Sequence, residues 1–283
     1  MRKPNRNPTR LCSGRLLFTL MKEGRRALFL LSFFLSSTIG AQTLRVAAAS
    51  NLQFVLPDLA AQYEKQSGVK LAITYGSSGN FVAQILNGAP FDLFLSADMQ
   101  YPQKLIDAKL AAPDSLQQYA VGHLILWLPK DSPLNFSNGA LNTLLDPRVQ
   151  RIAIANPEYA PYGRVAVTVL RHAGLYDQIK SKLVFGENIS QAAQFVQSGS
   201  AQAGLIALSL AFSPAMKGGT YRGVASVNLD RQLTQAAVVL ESAGNKQAAG
   251  SFLAFLKTST ARKILRHYGF SSPDEFPYGG TTP

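Results

Sequence analysis

Residues 44–52 read LRVAAASNL, and this stretch decides the fold. After Arg45 the run carries no charge, as a parallel strand covered on both faces requires. It ends in small residues, where Ser50 and Asn51 are candidate caps of a helix start. Three further stretches repeat the order of apolar strand, small polar turn and helix start. They are residues 73–81 (ITYGSSGNF), 152–163 (IAIANPEYAPYG) and 183–191 (LVFGENISQ). A helix N-terminus carries unpaired N–H groups and a partial positive charge, so it is a ready anion site. Four such ends facing one cleft would hold a small oxyanion without any lysine or arginine.

Outward from the first strand, Leu52, Val55, Leu56, Leu59, Ala60 and Tyr63 recur at helical spacing. Pro57 fits a helix body that begins after an irregular first turn, and Gly68 is the stop. Residues 70–75 alternate into a second strand, and 81–86 form a short helix. Residues 91–97 (FDLFLSA) make a third strand, and Asp98 caps a helix over 99–109. This βαβαβα order predicts a parallel sheet with right-handed crossovers. Residues 121–128 (VGHLILWL) read as one long strand, followed by a short helix at 141–145. Strands at 152–155, 183–185 and 203–208 then alternate with helices at 163–173 and 190–198. A strand at 234–240 returns to the first sheet. Helices at 247–257 and 260–268 close the chain, the second with Ser259 as N-cap and Gly269 as stop. The expected organisation is a leader at 1–41, one lobe of 42–119 plus 231–283, and a second lobe of 120–230.

A chain of 283 residues with 47% hydrophobic content can bury two medium cores. The net charge of +12 would suggest nucleic acid, but its distribution argues otherwise. Eight basic residues and one acid, Glu23, lie within 1–41; the remainder has no basic run longer than two and no basic–aromatic stripe. Residues 22–26 form a positive segment before the apolar stretch 27–40 (ALFLLSFFLSSTIG), which is too short for a comfortable membrane span. This is the pattern of a cleavable signal peptide, with Ala41–Gln42 as the cut and Met21 as an alternative start. The expectation from this segment is export from the cytoplasm; the resemblance described below implies the periplasm. Cys12 is the sole cysteine and lies in the leader, so the mature part has no disulfide and no cysteine metal site.

Rival chemistries find little support. Gly76-Ser77-Ser78-Gly79 fits the nucleophile elbow with neither serine, and His123, His172 and His267 have no carboxylate partner at a suggestive spacing. Asp92 and Asp98 are separated by apolar residues and form no metal-ligand pattern. No dinucleotide fingerprint or P-loop is present. Ser50 and Ser78 each end a strand and open a helix, on the sheet edge where α/β folds bind ligands. Tyr162 precedes Gly163 at a third helix start, and Ile189 stands at a fourth, where it can offer only its amide. Arg164 either screens the cleft mouth or pairs with a surface acid, and the second reading is preferred.

At AAASNL, YGSSGN, GAPFDLFLSAD, NPEYAPYG and RHYGF the chain resembles the periplasmic molybdate-binding proteins of ABC importers, over about residues 44–270. The resemblance implies an α/β, type II venus-flytrap fold with a parallel-dominated mixed sheet in each lobe. It implies molybdate or tungstate as ligand, no cofactor and no other metal. It further implies ABC permease subunits of the inner membrane as partners, a monomer, and no enzymatic activity. Carried onto this sequence, the oxyanion contacts are Ser50, Asn51, Ser78, Tyr162 and Ile189. Ala207 stands where some relatives use a tyrosine, and the Tyr162 phenol is a candidate replacement donor. Neutral donors favour a fully deprotonated anion over protonated phosphate, and cavity size must reject sulfate. The alternatives carried forward are a binder of another oxyanion, such as sulfate or phosphate, and a secreted hydrolase using Ser78.

Overall fold

The computed structural model describes residues 43–224 and 227–275. The leader, its cleavage point, Cys12 and Met21 lie outside the described residues. The described strands form two five-stranded sheets. In the first, β1 (Thr43–Ala49) lies between β2 (Lys70–Gly76) and β3 (Leu93–Ser96), parallel to both. Beyond β3 come β10 (Thr234–Val239) and β4 (Gln117–Val121), with β10 antiparallel to each neighbour. The second sheet has the order β7-β6-β8-β5-β9: Leu183–Gly186, Ile152–Ala155, Ala203–Ala207, Leu124–Leu128 and Thr220–Gly223. There β6 runs parallel to β7 and β8, and β5 antiparallel to β8 and β9. Each sheet therefore has four strands in one direction and a single reversed strand. The reversed strand is the first one the chain forms after passing from the other sheet, β5 after β4 and β10 after β9.

The stretch VGHLILWL is not one strand. Val121 pairs with Thr234 in the first sheet, and Leu124 pairs with Ala207 in the second. Between them the Gly122 amide donates to the Leu233 carbonyl at 3.0 Å, and the His123 carbonyl accepts from the Leu208 amide at 2.9 Å. Hydropathy is continuous across the break because both halves are buried, so only the exchange of partners reveals it. A Cβ at Gly122 would come within 2.1 Å of the Tyr162 hydroxyl oxygen, so any side chain at this crossing would have to displace the buried Tyr162 phenol.

Period-two alternation covers both faces of the first sheet. Leu44, Val46 and Ala48 pack with Leu93, Leu95 and Phe252, while Ala47, Phe94 and Val238 pack with Phe81 and Leu105 on the other face. Helix α1 (Leu56–Ser67) presents Leu56, Leu59 and Tyr63 to the first of these layers. A 3-10 turn, Ser50–Leu52, precedes it, and Pro57 sits in the first helical turn, where its missing N–H costs nothing. Gly68 closes the helix at φ +71°. The remaining helices are α2 (Ser78–Leu86), α3 (Gln100–Asp107), α4 (Pro161–His172), α5 (Tyr176–Ile179), α6 (Ile189–Gln197), α7 (Leu208–Ala211), α8 (Val227–Asp230), α9 (Lys246–Leu256) and α10 (Ser259–His267). Ala49 and Ala97, at the carboxyl ends of β1 and beyond β3, are buried in the core cluster of the second sheet. The strand ends of the first lobe therefore pack directly on the second.

Several caps fall one residue from their expected places. Ser50 and Asn51 make no side-chain cap, because both are engaged across the interface described below. Ser77, not Ser78, caps α2: its extended backbone (φ −80°, ψ 145°) lets its oxygen accept from the Asn80 amide. Thr258 likewise caps α10 in place of Ser259, accepting from the Ala261 amide at 3.2 Å.

Candidate functional site

The helix starts singled out in the sequence meet where the carboxyl ends of the two sheets face each other. Ser50, Asn51, Ser78, Tyr162 and Ile189 are each at most 3% exposed. The Ser50 hydroxyl accepts from the Ser190 amide at 3.4 Å, and the Ser190 hydroxyl donates to the Ser50 carbonyl at 2.9 Å. The Ser78 hydroxyl accepts from the Ala97 amide at 3.1 Å. A hydroxyl that accepts from a backbone amide retains its own proton to give. Both serines are thus pre-set as donors.

Asn51 is held from two sides. Its Nδ2 donates to Gln235 Oε1 at 2.9 Å, and its carbonyl accepts from the Ser209 hydroxyl at 2.8 Å. Gln235 is fully buried on β10, and its Nε2 donates to the Leu233 and Ala97 carbonyls at 2.8 and 3.3 Å. Those two carbonyls fix which end of the Gln235 amide faces Asn51, and so fix the Asn51 amide as well. Ala97 thus donates through its amide to Ser78 and accepts through its carbonyl from Gln235, which links the two strand-end turns.

Tyr162 and Ile189 stand at the starts of α4 and α6. Pro161 opens α4 with its φ already set for a helix, and Asn188 caps α6 by accepting from the Gln191 amide at 3.1 Å. The first amides of each helix have no carbonyl behind them within the helix. Ile189 is buried and contributes no polar side chain. The phenol of Tyr162 extends along the Gly122 crossing, beside Gln235. At Ala207 the structure supplies no hydroxyl, but Ser209, two residues on, places one on Asn51.

The charge nearest the cluster is compensated. Arg164, on α4, pairs with Asp98, which is nearly buried at the end of β3. Asp98 also accepts from the Ser96 hydroxyl at 3.0 Å and the Tyr101 amide at 3.1 Å. Burial pushes the Asp98 carboxyl above the ordinary carboxylate range, a rise that the Tyr101 amide, Arg164 and Ser96 only partly offset. The expectation of a surface acid for Arg164 is corrected: its partner is 66 residues away and buried.

Sequence reasoning missed Ser190, Ser209 and Gln235. The one available signal was Gln235 itself, an amide side chain beside Thr234 at the start of a strand that continues as AAVV. Two open grooves, of about 470 Å³ beside Leu116 and Lys246 and about 380 Å³ beside Trp127 and Lys217, contain none of the five candidate residues. Hydrogen-bond direction, not concavity, locates the site, because the lobes are already drawn together over it.

Comparison with known proteins identifies relatives of this chain. Residues 44–271 match the family described as bacterial extracellular solute-binding protein. The chain is 38% identical over 231 residues to the molybdate-binding protein ModA of Azotobacter vinelandii, covering 81% of this chain and 90% of that protein. It is 36% identical over 224 residues to ModA of Rhodobacter capsulatus, covering 79% and 86%. The solved periplasmic molybdate-binding protein of Azotobacter vinelandii superposes with a TM-score of 0.75 at 35% identity, covering 81% of this chain and 99% of that one.

Proposed function

The chain belongs to the bacterial extracellular solute-binding proteins, and from that membership we propose that it captures molybdate between its lobes and delivers it to an ABC permease. The observation that carries the reading is the pair of serines, Ser50 and Ser78, each accepting from a backbone amide and each left with a proton to donate. Ser50, Asn51 and Ser78 donate from the first lobe, and the amides of Tyr162 and Ile189 donate from the second. The division expected from the sequence, 42–119 with 231–283 against 120–230, shifts by two residues at its first boundary, because Ala120 and Val121 pair with β10 in the first sheet. A dianion taken out of water needs several such donors. Because Asp98 neutralises Arg164, the cage discriminates by hydrogen-bond geometry and size, not by net charge. Tungstate, of the same charge and geometry, enters the same cage.

The protein works as a periplasmic monomer exported by its signal peptide. It holds its ligand without turning it over and needs no cofactor. Crystals grown with molybdate, with molybdenum located by its anomalous scattering, test the site. The metal is expected within one oxygen shell of the Ser50 and Ser78 hydroxyls and the Ile189 amide. An anomalous peak outside the cleft would overturn the assignment.

A further inference from the structure

The first lobe carries a carboxylate at the cleft whose ion-pair partner comes from the other lobe. Asp98 lies just beyond β3, two residues before α3, and its partner Arg164 comes from α4 of the other lobe. Around that pair, further bonds run the same way. Arg164 Nη1 donates to the Tyr101 hydroxyl at 2.9 Å, and the guanidinium lies 4.9 Å from the centroid of the Tyr101 ring. The Tyr101 hydroxyl in turn faces the Tyr159 and Glu158 carbonyls at 3.3 and 3.4 Å. The Gly79 amide donates to the same Tyr159 carbonyl at 2.9 Å. Asn80 reaches Glu187 at 3.1 Å. All of these contacts join residues of one lobe to residues of the other. Four of the residues lie one or two positions from candidate anion contacts: Gly79 and Asn80 follow Ser78, Arg164 follows Tyr162 by two, and Glu187 precedes Ile189 by two.

We propose that Asp98, Arg164 and Tyr101 form a charged lock whose making completes lobe closure, and which sets how long the cleft retains its anion. None of the three is assigned a contact with the anion; they are positioning residues. The physical basis is the asymmetry of exposure. The Asp98 side chain is 4% exposed and the Arg164 side chain 32% exposed when paired. Parting the lobes would separate the Asp98 carboxylate from its charged partner, and breaking a pair that is buried on one side costs more than parting two solvated ions. The lock therefore resists opening and does little for the first encounter with ligand. Its signature is a faster dissociation rate with an unchanged association rate.

This inference rests on the molybdate reading for its kinetic arm, and has a second arm that does not. In the first arm, release of radiolabelled molybdate is followed under excess unlabelled chase for the full chain, Asp98→Asn, Arg164→Gln and the double variant. Each single variant is expected to release about tenfold faster or more, with uptake rates within about twofold, and the double no faster than the quicker single. Arg164→Lys, which keeps the charge but not the planar fork, is expected to fall between. In the second arm, hydrogen exchange at the Gly79 amide, which bonds across the lobes, is read with and without anion. Its protection is expected to fall about tenfold in Asp98→Asn and Arg164→Gln, while amides of the β1–β2 ladder hold theirs. Release rates within about twofold of the parent, or no protection at Gly79 in the unmodified protein under either condition, would overturn the lock. Absence of molybdate uptake by the unmodified protein would overturn the functional reading instead, and the Gly79 amide would still decide the lock.

Discussion

Gly79→Ala separates closure from folding. Gly79 is the second residue of α2, and alanine is the better helix former there, by up to about 1 kcal/mol. In the closed arrangement, however, an added Cβ would stand 2.7 Å from the Tyr159 carbonyl oxygen and 2.5 Å from the Tyr101 hydroxyl. The hydroxyl is the end of a side chain and can swing once the lobes part. The Tyr159 carbonyl is backbone of the opposite lobe and cannot. Relieving that contact to ordinary van der Waals distance moves the lobes apart by roughly 0.7 Å at this point, enough to stretch the 2.9 Å Gly79–Tyr159 hydrogen bond out of range and to loosen the Arg164 contacts. Losing one neutral and one charged hydrogen bond costs about 2–4 kcal/mol, or roughly 30- to 1,000-fold in Kd. The assay is paired: calorimetric Kd for molybdate, and thermal unfolding without ligand. Affinity is expected to fall by that factor while the ligand-free Tm holds or rises by a few degrees. An affinity within about twofold of the parent would refute the reasoning, because it would mean that the lobes need not approach at Gly79.

Other expectations follow from the same contacts. Ser50→Ala and Ser78→Ala should each weaken molybdate binding by about 1.5–3 kcal/mol, roughly 10- to 150-fold, in the same titration, and together should abolish it. Asp92 is buried between β1 and the loop after β10. It accepts from Arg45 through amide and guanidinium, and from the Gly244 amide. Burial pushes its carboxyl up, but those donors outweigh it and hold it below the ordinary carboxylate range. Its contribution to stability is therefore present above that range and lost as pH falls through the depressed value. Asp92→Asn should lower the Tm at pH 7 and flatten its acid limb, which melts at a series of pH values would show. Gly163→Ala should destabilise the fold itself. Its Cβ would stand 2.3 Å from the Ala155 carbonyl oxygen and 2.8 Å from the Pro157 nitrogen, both backbone, so α4 could not dock on β6; a Tm unchanged by the substitution would contradict this.

The parts of this molecule legible in the sequence are those that local chemistry dictates. LRVAAASNL announces a strand and a turn because burial on both faces removes charge and the turn selects small residues. The other three strand–turn–helix stretches are legible for the same reason. Capping was legible only to within a residue, since Ser77 and Ser78 are equally suited chemically. The choice between them is made by the Ala97 amide, 19 residues away, which engages Ser78. Long-range pairing left no local mark. The Arg164–Asp98 pair, the Ser209 hydroxyl on Asn51 and the exchange of sheets at Gly122 all depend on which segments the fold brings together. Periodicity carries no information on that. The family resemblance supplied the ligand; the residues that orient its proposed contacts, Gln235 above all, emerge only from the geometry.

The central claim is that a cage of neutral donors selects a fully deprotonated, large oxyanion. Calorimetric titration of the protein with molybdate, tungstate, sulfate and phosphate in separate runs tests it most directly. Tight one-to-one binding of the first two is expected, with sulfate at least about a hundredfold weaker, or about 2.7 kcal/mol, and phosphate weaker still. Sulfate or phosphate binding as tightly as molybdate, or no heat from any of the four, would contradict it.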